Sequence, residues 1–210
     1  MLNELVFVGG SVTGLLITDP AAGDPRPTLD VDAIAEITSY AQYALFGERL
    51  RASGFSEDLR EGAPVCRWVR GRTILDVMPI DSQILGFSNR WYRAAMDASH
   101  RTDLAADLEI RVISAPYFVA TKLDAFTGRG KADLFGSADL EDIIAVVDGR
   151  TELVSEVEEQ PEHLRAFIRA ELSTLVAAGL VDALPGFLLP DEMSQSRVVV
   201  VMERIERLIS

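Results

Sequence analysis

Two aspartates lie one residue apart in the segment Thr28 to Asp32, which is predicted to form a short strand. Successive side chains of a strand point to opposite faces, so Asp30 and Asp32 are expected on the same face. Two negative charges so close repel each other unless a cation neutralises them, and Mg²⁺ favours carboxylate oxygens together with substrate phosphates. The pair therefore indicates either a Mg²⁺ site or two solvated aspartates at the end of a strand.

A third aspartate, Asp76, interrupts the apolar strand predicted near residues 73 to 78. Aspartate is disfavoured in strands and costly to bury as an unpaired charge, so we expect a group that compensates it. If this strand lies beside the one with Asp30 and Asp32, three carboxylates converge, as a two-metal site for in-line displacement at phosphorus requires. The alternative is an edge strand on which Asp76 reaches water.

A glycine turn, Gly9-Gly10-Ser11, follows the apolar strand predicted at residues 4 to 8 and precedes a helix predicted at 11 to 18. Free backbone N–H groups and a hydroxyl at the start of a helix can bind a phosphate. Such turns also occur for steric reasons alone. The same letters, VFVGGSVTG, superficially resemble a dinucleotide-binding fingerprint, but the glycine spacing differs and that alternative leaves Asp76 unexplained.

Lysine is scarce in this chain: 18 of the 20 basic residues are arginine, and the two lysines, Lys122 and Lys131, lie in one ten-residue stretch. Lysine is a compact point charge that can follow a phosphate during a reaction, whereas arginine is a rigid fork. The placement indicates either a chemical role or chance clustering at a solvated helix end. Asp139 and Asp142 fall three residues apart on one face of a predicted helix, where they could orient Lys122 or Arg129, or simply form a solvated acidic face.

The elements that position these residues follow from hydrophobic patterning. We predict a helix at 34 to 53, an antiparallel hairpin of strands near 64 to 70 and 73 to 78, a helix near 89 to 98 and a strand near 109 to 114. The rest is predicted to be helical, and the further helices are expected at 116 to 126, 138 to 148, 161 to 178 and 196 to 209. This order of elements indicates an α/β fold with an appended helical part.

Composition excludes several classes of protein. The chain has 210 residues, a formal net charge of −13 and 48% hydrophobic residues, which is typical of a globular domain and unfavourable for coating nucleic acid. No apolar run approaches 18 residues, so no membrane span is expected, and the cytoplasm is the default compartment. The single Cys66 cannot form an internal disulfide, and the two histidines, His100 and His163, cannot build a Cys/His zinc site.

The ordered combination of motifs resembles the AbiEii-type, toxin-like branch of the polymerase-β-like nucleotidyltransferase superfamily. The resemblance is carried by VFVGGS, then RPTLDVD beginning at Arg26, then ILDVMP, then ATKLDAFTGRGKADLFGSADLEDII. It touches about residues 5 to 145, and the interval from Ser11 to Asp30 is longer than in that family.

This resemblance implies a role for each matched residue. Asp30, Asp32 and Asp76 would bind two Mg²⁺ ions, and Lys122 would offset charge on the leaving pyrophosphate. The residues expected to contact the phosphates of a nucleoside triphosphate (NTP) are Gly9, Gly10, Ser11, Arg26 and Lys131. The residues expected to support them are Arg129, Asp139 and Asp142.

The resemblance also implies the architecture and the activity. We expect a nucleotidyltransferase fold with a small mixed sheet flanked by helices in residues 1–115, and a helical part in 116–210 that carries the Lys122 motif. The implied reaction moves a nucleoside monophosphate (NMP) from an NTP to an acceptor hydroxyl, on RNA or protein, with release of pyrophosphate. A partner antitoxin is implied by analogy alone. The alternative from another class is a non-catalytic module that binds a nucleotide or a partner on the same fold.

Overall fold

The computed structural model describes residues 2–128 and 133–210. In these ranges the strands are β1 (Leu5–Val8), β2 (Val31–Ala35), β3 (Ser56–Glu57), β4 (Arg67–Arg70), β5 (Thr73–Pro79), β6 (His100–Ala105) and β7 (Leu108–Val112). The helices are α1 (Thr13–Leu16), α2 (Tyr40–Ala52), α3 (Ser82–Leu85), α4 (Tyr92–Asp97), α5 (Ala115–Gly128), α6 (Ala138–Gly149), α7 (Leu153–Glu158), α8 (Glu162–Ala177), α9 (Leu180–Phe187), α10 (Glu192–Ser196) and α11 (Val198–Ile209). None of the helices in the described ranges is long and apolar enough to cross a membrane.

The described part of the chain divides into two compact units. The first unit comprises Met1–Val12 and Pro27–Ser114, and it contains the whole sheet. The second comprises Thr13–Arg26 and Ala115–Ser210, and it is helical. Residues 13–26 belong to the helical unit because their backbone bonds to α6: Thr18 N and Asp19 N both donate to the Gly149 carbonyl at 2.8 Å. The division predicted from the sequence had placed these residues in the nucleotidyltransferase core.

The described strands form one mixed sheet in the order β3-β4-β5-β2-β1-β7-β6. Strand β1 is antiparallel to β2 and parallel to β7, and β2 is parallel to β5. The α/β class, the mixed sheet and the helical C-terminal part are confirmed. A dinucleotide-binding βαβ unit needs its first two strands to be parallel, so the antiparallel pairing of β1 with β2 shows that the dinucleotide alternative is wrong.

One face of the sheet builds an apolar core with α2. The cluster combines alternate residues of the strands with residues of the helix and of the preceding loop, namely Leu5, Ala33, Ala35, Ile37, Phe46, Leu50, Trp68, Leu75 and Val77. Helix α2 approaches closely at Gly47, where an added Cβ would lie 3.1 Å from the Trp68 ring. Because this face is apolar, the even-numbered residues of β2 and β5, including Asp32 and Asp76, lie on the opposite face.

Some predicted bounds were wrong. The segment 34–53 was predicted to be one helix, but Ile34 and Ala35 complete β2, and α2 begins only at Tyr40, after Ser39 caps it by accepting a hydrogen bond from Gln42 N. Burial of the alternating residues of β2 between neighbouring strands outweighs their helical spacing. Strand β6 was missed because it pairs at the sheet edge and its polar residues carry no apolar alternation.

The second unit buries the amphipathic faces of its helices against one another. Helix α5 is apolar on nearly all sides and is mostly buried. The last helix also packs inward, since Val201, Ile205 and Leu208 of α11 are buried. These residues recur at helical spacing, so one face of α11 serves core packing.

Trp68 is 1% exposed in the core between β4 and α2, so we expect Trp68→Ala to lower the free energy of unfolding by about 3–5 kcal/mol. Urea denaturation followed by circular dichroism measures this loss. Leu59, which is 87% exposed, supplies the control: Leu59→Ala should change the same quantity by less than about 0.5 kcal/mol. Equal losses in the two variants would contradict the assigned core.

Candidate active site

Asp32 and Asp76 face each other across two neighbouring parallel strands. They are register partners in the β2–β5 pair, so their side chains emerge side by side on the face opposite the apolar core. Asp30 lies one residue before β2, although the sequence placed it within the strand. Asp76 is buried, and Asp30 and Asp32 are half-buried. Two parallel strands thus present acidic side chains at one place on one face of the sheet.

Arg67 on β4 compensates the buried charge of Asp76. Its Nε donates to Asp76 Oδ1 at 2.9 Å and its Nη2 donates to Asp76 Oδ2 at 2.7 Å. The same Nη2 also donates to Asp30 Oδ2 at 3.0 Å. The hydrogen bond with Asp76 raises the pKa of the Arg67 guanidinium above its usual value, so the group stays charged. A carboxylate that is 6% exposed can persist in a central strand because its partner is fixed beside it.

Arg67 is the compensating group that was expected for Asp76, although its identity was not predicted from the sequence. The signal was present in the predicted hairpin. A two-residue turn at Gly71 and Arg72 pairs Arg70 with Thr73, and counting back along both strands pairs Arg67 with Asp76. The register of a hairpin, once fixed by its turn, places the arginine opposite the aspartate.

The glycine turn fits closely against Asp32. Gly9 has φ = +68°, a conformation that favours glycine, and a Cβ added there would lie 2.0 Å from Asp32 Oδ2. Val12 N donates to the Gly9 carbonyl at 3.3 Å, and Ser11 Oγ donates to the Val8 carbonyl at 3.4 Å. Glycine is therefore required at position 9 both by the turn and by the carboxylate that lies against it.

The second unit holds its own cluster of charges. Lys122 Nζ on α5 donates to Asp139 Oδ1 at 3.0 Å and to Asp142 Oδ2 at 2.6 Å, both on α6. Arg26 donates to the two oxygens of Asp142 through Nε at 2.9 Å and Nη2 at 3.0 Å. Burial lowers the pKa of Arg26, but its hydrogen bonds and the nearby negative charges raise it, and the net shift is upward. Among the described residues, Asp142 thus accepts hydrogen bonds from both Lys122 and Arg26.

Lys122 is thus held by the two aspartates that the sequence placed on one helical face. Its assignment to a leaving pyrophosphate stays a prediction. Arg129 and Lys131, which were also predicted to contribute, lie outside the described residues. The structure brings Asp30, Asp32, Asp76 and Gly9 together within the first unit, and Lys122, Arg26, Asp139 and Asp142 within the second.

Asp30, Asp32 and Asp76 of the first unit carry carboxylate oxygens, which are the ligands that hard divalent cations prefer. In residues 2–128 and 133–210 no three His, Cys, Asp or Glu side chains are already grouped to hold a metal ion. However, oxygens from Asp30 and Asp76 converge on a single positively charged atom, Nη2 of Arg67. The two carboxylates therefore bind one cationic centre together, and Asp32 adjoins them on the same face.

Comparisons with known proteins show a likeness to solved structures. No family model and no curated protein matches the sequence. The chain is similar to the crystal structure of an antigenic nucleotidyltransferase-like protein from Paracoccidioides brasiliensis, with 20% sequence identity and a TM-score of 0.49 over 87% of this chain and 84% of that one.

Cys66, next to Arg67, is buried, and burial together with the negative charge of Asp76 raises the pKa of its thiol to about 12. Because the thiolate is the reactive form, we expect the folded protein at pH 8 to react with Ellman's reagent far more slowly than the protein unfolded in urea. Absorbance of the released thiol measures both rates. Equal rates would contradict the burial of Cys66.

Proposed function

We propose that this protein is a divalent-cation-dependent nucleotidyltransferase that moves an NMP from an NTP to an acceptor hydroxyl. The observation that carries the proposal is that Asp32 and Asp76 lie side by side on β2 and β5, with a glycine turn shaped around Asp32. Asp30, just before β2, accepts a hydrogen bond from the same Arg67 nitrogen as Asp76. Carboxylates in this arrangement suit metal-assisted displacement at phosphorus, and a glycine turn after a strand offers backbone N–H groups to phosphate oxygens.

In the proposed reaction the acceptor oxygen forms a bond to the α-phosphorus. The bond from that phosphorus to the bridging oxygen breaks, its electron pair leaves with pyrophosphate, and the hydroxyl proton passes to water. Mg²⁺, when bound, polarises the phosphates and lowers the pKa of the attacking hydroxyl. Asp30, Asp32 and Asp76 would hold the metal, and Gly10 and Ser11 would position the β and γ phosphates.

Asp76 and Asp32 are held in place by different groups. Asp76 is fixed by both Nε and Nη2 of Arg67, so its orientation is set before any ligand arrives. Asp32 lies against Gly9, which holds its carboxylate next to the turn proposed to contact phosphate. Because Asp32 is already held beside the turn, it needs little rearrangement when the phosphate charge develops.

The finer assignment is also a proposal. The AbiEii-type resemblance supports an acceptor on RNA or protein and, through the toxin-like relatives, a partner antitoxin. It also supports a role for Lys122 in offsetting charge on pyrophosphate. The alternative of a non-catalytic module predicts nucleotide or partner binding with no transfer of label.

We expect Asp30→Asn and Asp32→Asn each to lower nucleotidyl transfer at least about a hundredfold, because metal stabilisation of transition-state charge is worth several kcal/mol. The assay incubates the protein with Mg²⁺, a cell extract and each of the four NTPs, labelled in turn at the α and γ phosphates. Label from the α position alone should appear in an acceptor.

The matched control for this assay is Asp107→Asn, at an exposed aspartate between β6 and β7, which should keep the full rate. Transfer of γ label instead would identify a phosphoryl transferase. Full activity in Asp30→Asn or Asp32→Asn would remove these residues from the site.

Ligand binding is testable before any acceptor is known. A ligand that binds only the folded state stabilises it by about 2.7 kcal/mol at 100 times its dissociation constant. We therefore expect Mg²⁺ with the correct NTP to raise the melting temperature, and NAD to leave it unchanged. The shift should need both components, because the triphosphate alone meets three carboxylates in an acidic protein. No shift with any nucleotide would count against both the enzyme and the nucleotide-binding module.

A further inference from the structure

Nη2 of Arg67 lies between one oxygen of Asp30 and one oxygen of Asp76. Its Nη2 is 3.0 Å from Asp30 Oδ2 and 2.7 Å from Asp76 Oδ2. Asp76 uses both carboxylate oxygens on the guanidinium, and its side chain is 9% exposed. An ion held by these same two oxygens would take the place of Nη2, because two cations cannot occupy that position together.

We propose that Arg67 is an internal counter-cation that competes with the divalent cation for Asp30 and Asp76. This inference rests on the proposed function, and it concerns how the cation gains access to the site. In the free protein the guanidinium neutralises part of the acidic cluster and keeps the buried Asp76 paired. Binding of the cation is then an exchange of one positive charge for another.

Replacement of Arg67 by the cation has a free-energy cost, and a bound nucleotide can remove that cost. A displaced guanidinium loses three charge-assisted hydrogen bonds, and its side chain is 20% exposed, so water restores them incompletely. The oxygens of a triphosphate are acceptors of the same kind and can receive it. Cation and triphosphate should therefore each strengthen the binding of the other, by the same factor.

The fork of arginine matters to this role. Nε and Nη2 engage the two oxygens of Asp76, while Nη2 also reaches Asp30, so one planar group spans both carboxylates. A lysine at this position would offer a single charged atom with no fixed orientation. It would keep the competing charge but hold the carboxylates less firmly.

The direct test measures binding of Mn²⁺, used as the probe cation without nucleotide, by the loss of its free electron paramagnetic resonance signal. We expect Arg67→Met to bind Mn²⁺ at least about tenfold more tightly than the unaltered chain, because a neighbouring positive charge has been removed. Arg70→Met is the matched control. Arg70 is exposed on the same strand and pairs with Thr73, away from the aspartates, so its loss should leave Mn²⁺ affinity unchanged.

Two further variants locate the effect and cover a failure to fold. Adding Asp76→Asn to Arg67→Met should abolish the gain, which places the ion at this carboxylate. Arg67→Lys keeps the charge and loses the fork, so its Mn²⁺ affinity should lie between those of the unaltered chain and Arg67→Met. If Arg67→Met does not fold without a cation, the Arg67→Lys variant provides the test. A Mn²⁺ affinity of Arg67→Lys no higher than that of the unaltered chain then overturns the proposal.

The outcome is separable from the proposed function. Tighter Mn²⁺ binding in Arg67→Met supports the exchange even if no NTP donates label. Unchanged or weaker binding, or no binding by any variant, overturns the exchange even if transfer of label is observed.

Discussion

The pairing of Arg67 with Asp76 is the constraint on which the first unit depends. A carboxylate in the middle of a buried strand would destabilise the sheet by several kcal/mol if it were unpaired. The hairpin solves this problem locally, because its register sets the guanidinium directly across from the acid. With the charge balanced there, β5 can run through the sheet beside β2, and the two acidic positions meet on one face.

The apolar face of the sheet, which packs against α2, explains why the aspartates on the other face can lie so close together. Successive side chains of β2 and β5 lie on opposite faces of the sheet. Ala33 and Val77 therefore lie in the apolar cluster under α2, and their neighbours Asp32 and Asp76 lie on the other face. Burial of the core residues is what fixes the register, and the register fixes the acidic pair. Packing on the apolar face of the sheet thus offsets the repulsion between the aspartates on the other face.

The sequence predicted the parts that depend on local pattern. The hairpin, the glycine turn and most of the helices carry their own signals, and the spacing of Asp30 and Asp32 was informative without any coordinates. The end of β2 was missed because its residues also fit a helical repeat, and pairing between strands decided the outcome. Arg67 was missed because a lone arginine in a strand has no distinctive signature. Its significance lies in its partner, which only register reveals.

The position of β1 has a consequence for how the chain acquires its structure. This strand pairs with β7 through Val6 with Arg111 and Phe7 with Val112, so contacts within the sheet join residues far apart in sequence. Closing such a loop costs entropy before any contact forms, whereas the β4–β5 and β6–β7 hairpins close locally. During synthesis β1 therefore emerges first and must wait for its second neighbour. Until β7 arrives it exposes an apolar, unpaired edge, which makes the nascent chain prone to aggregation at this strand.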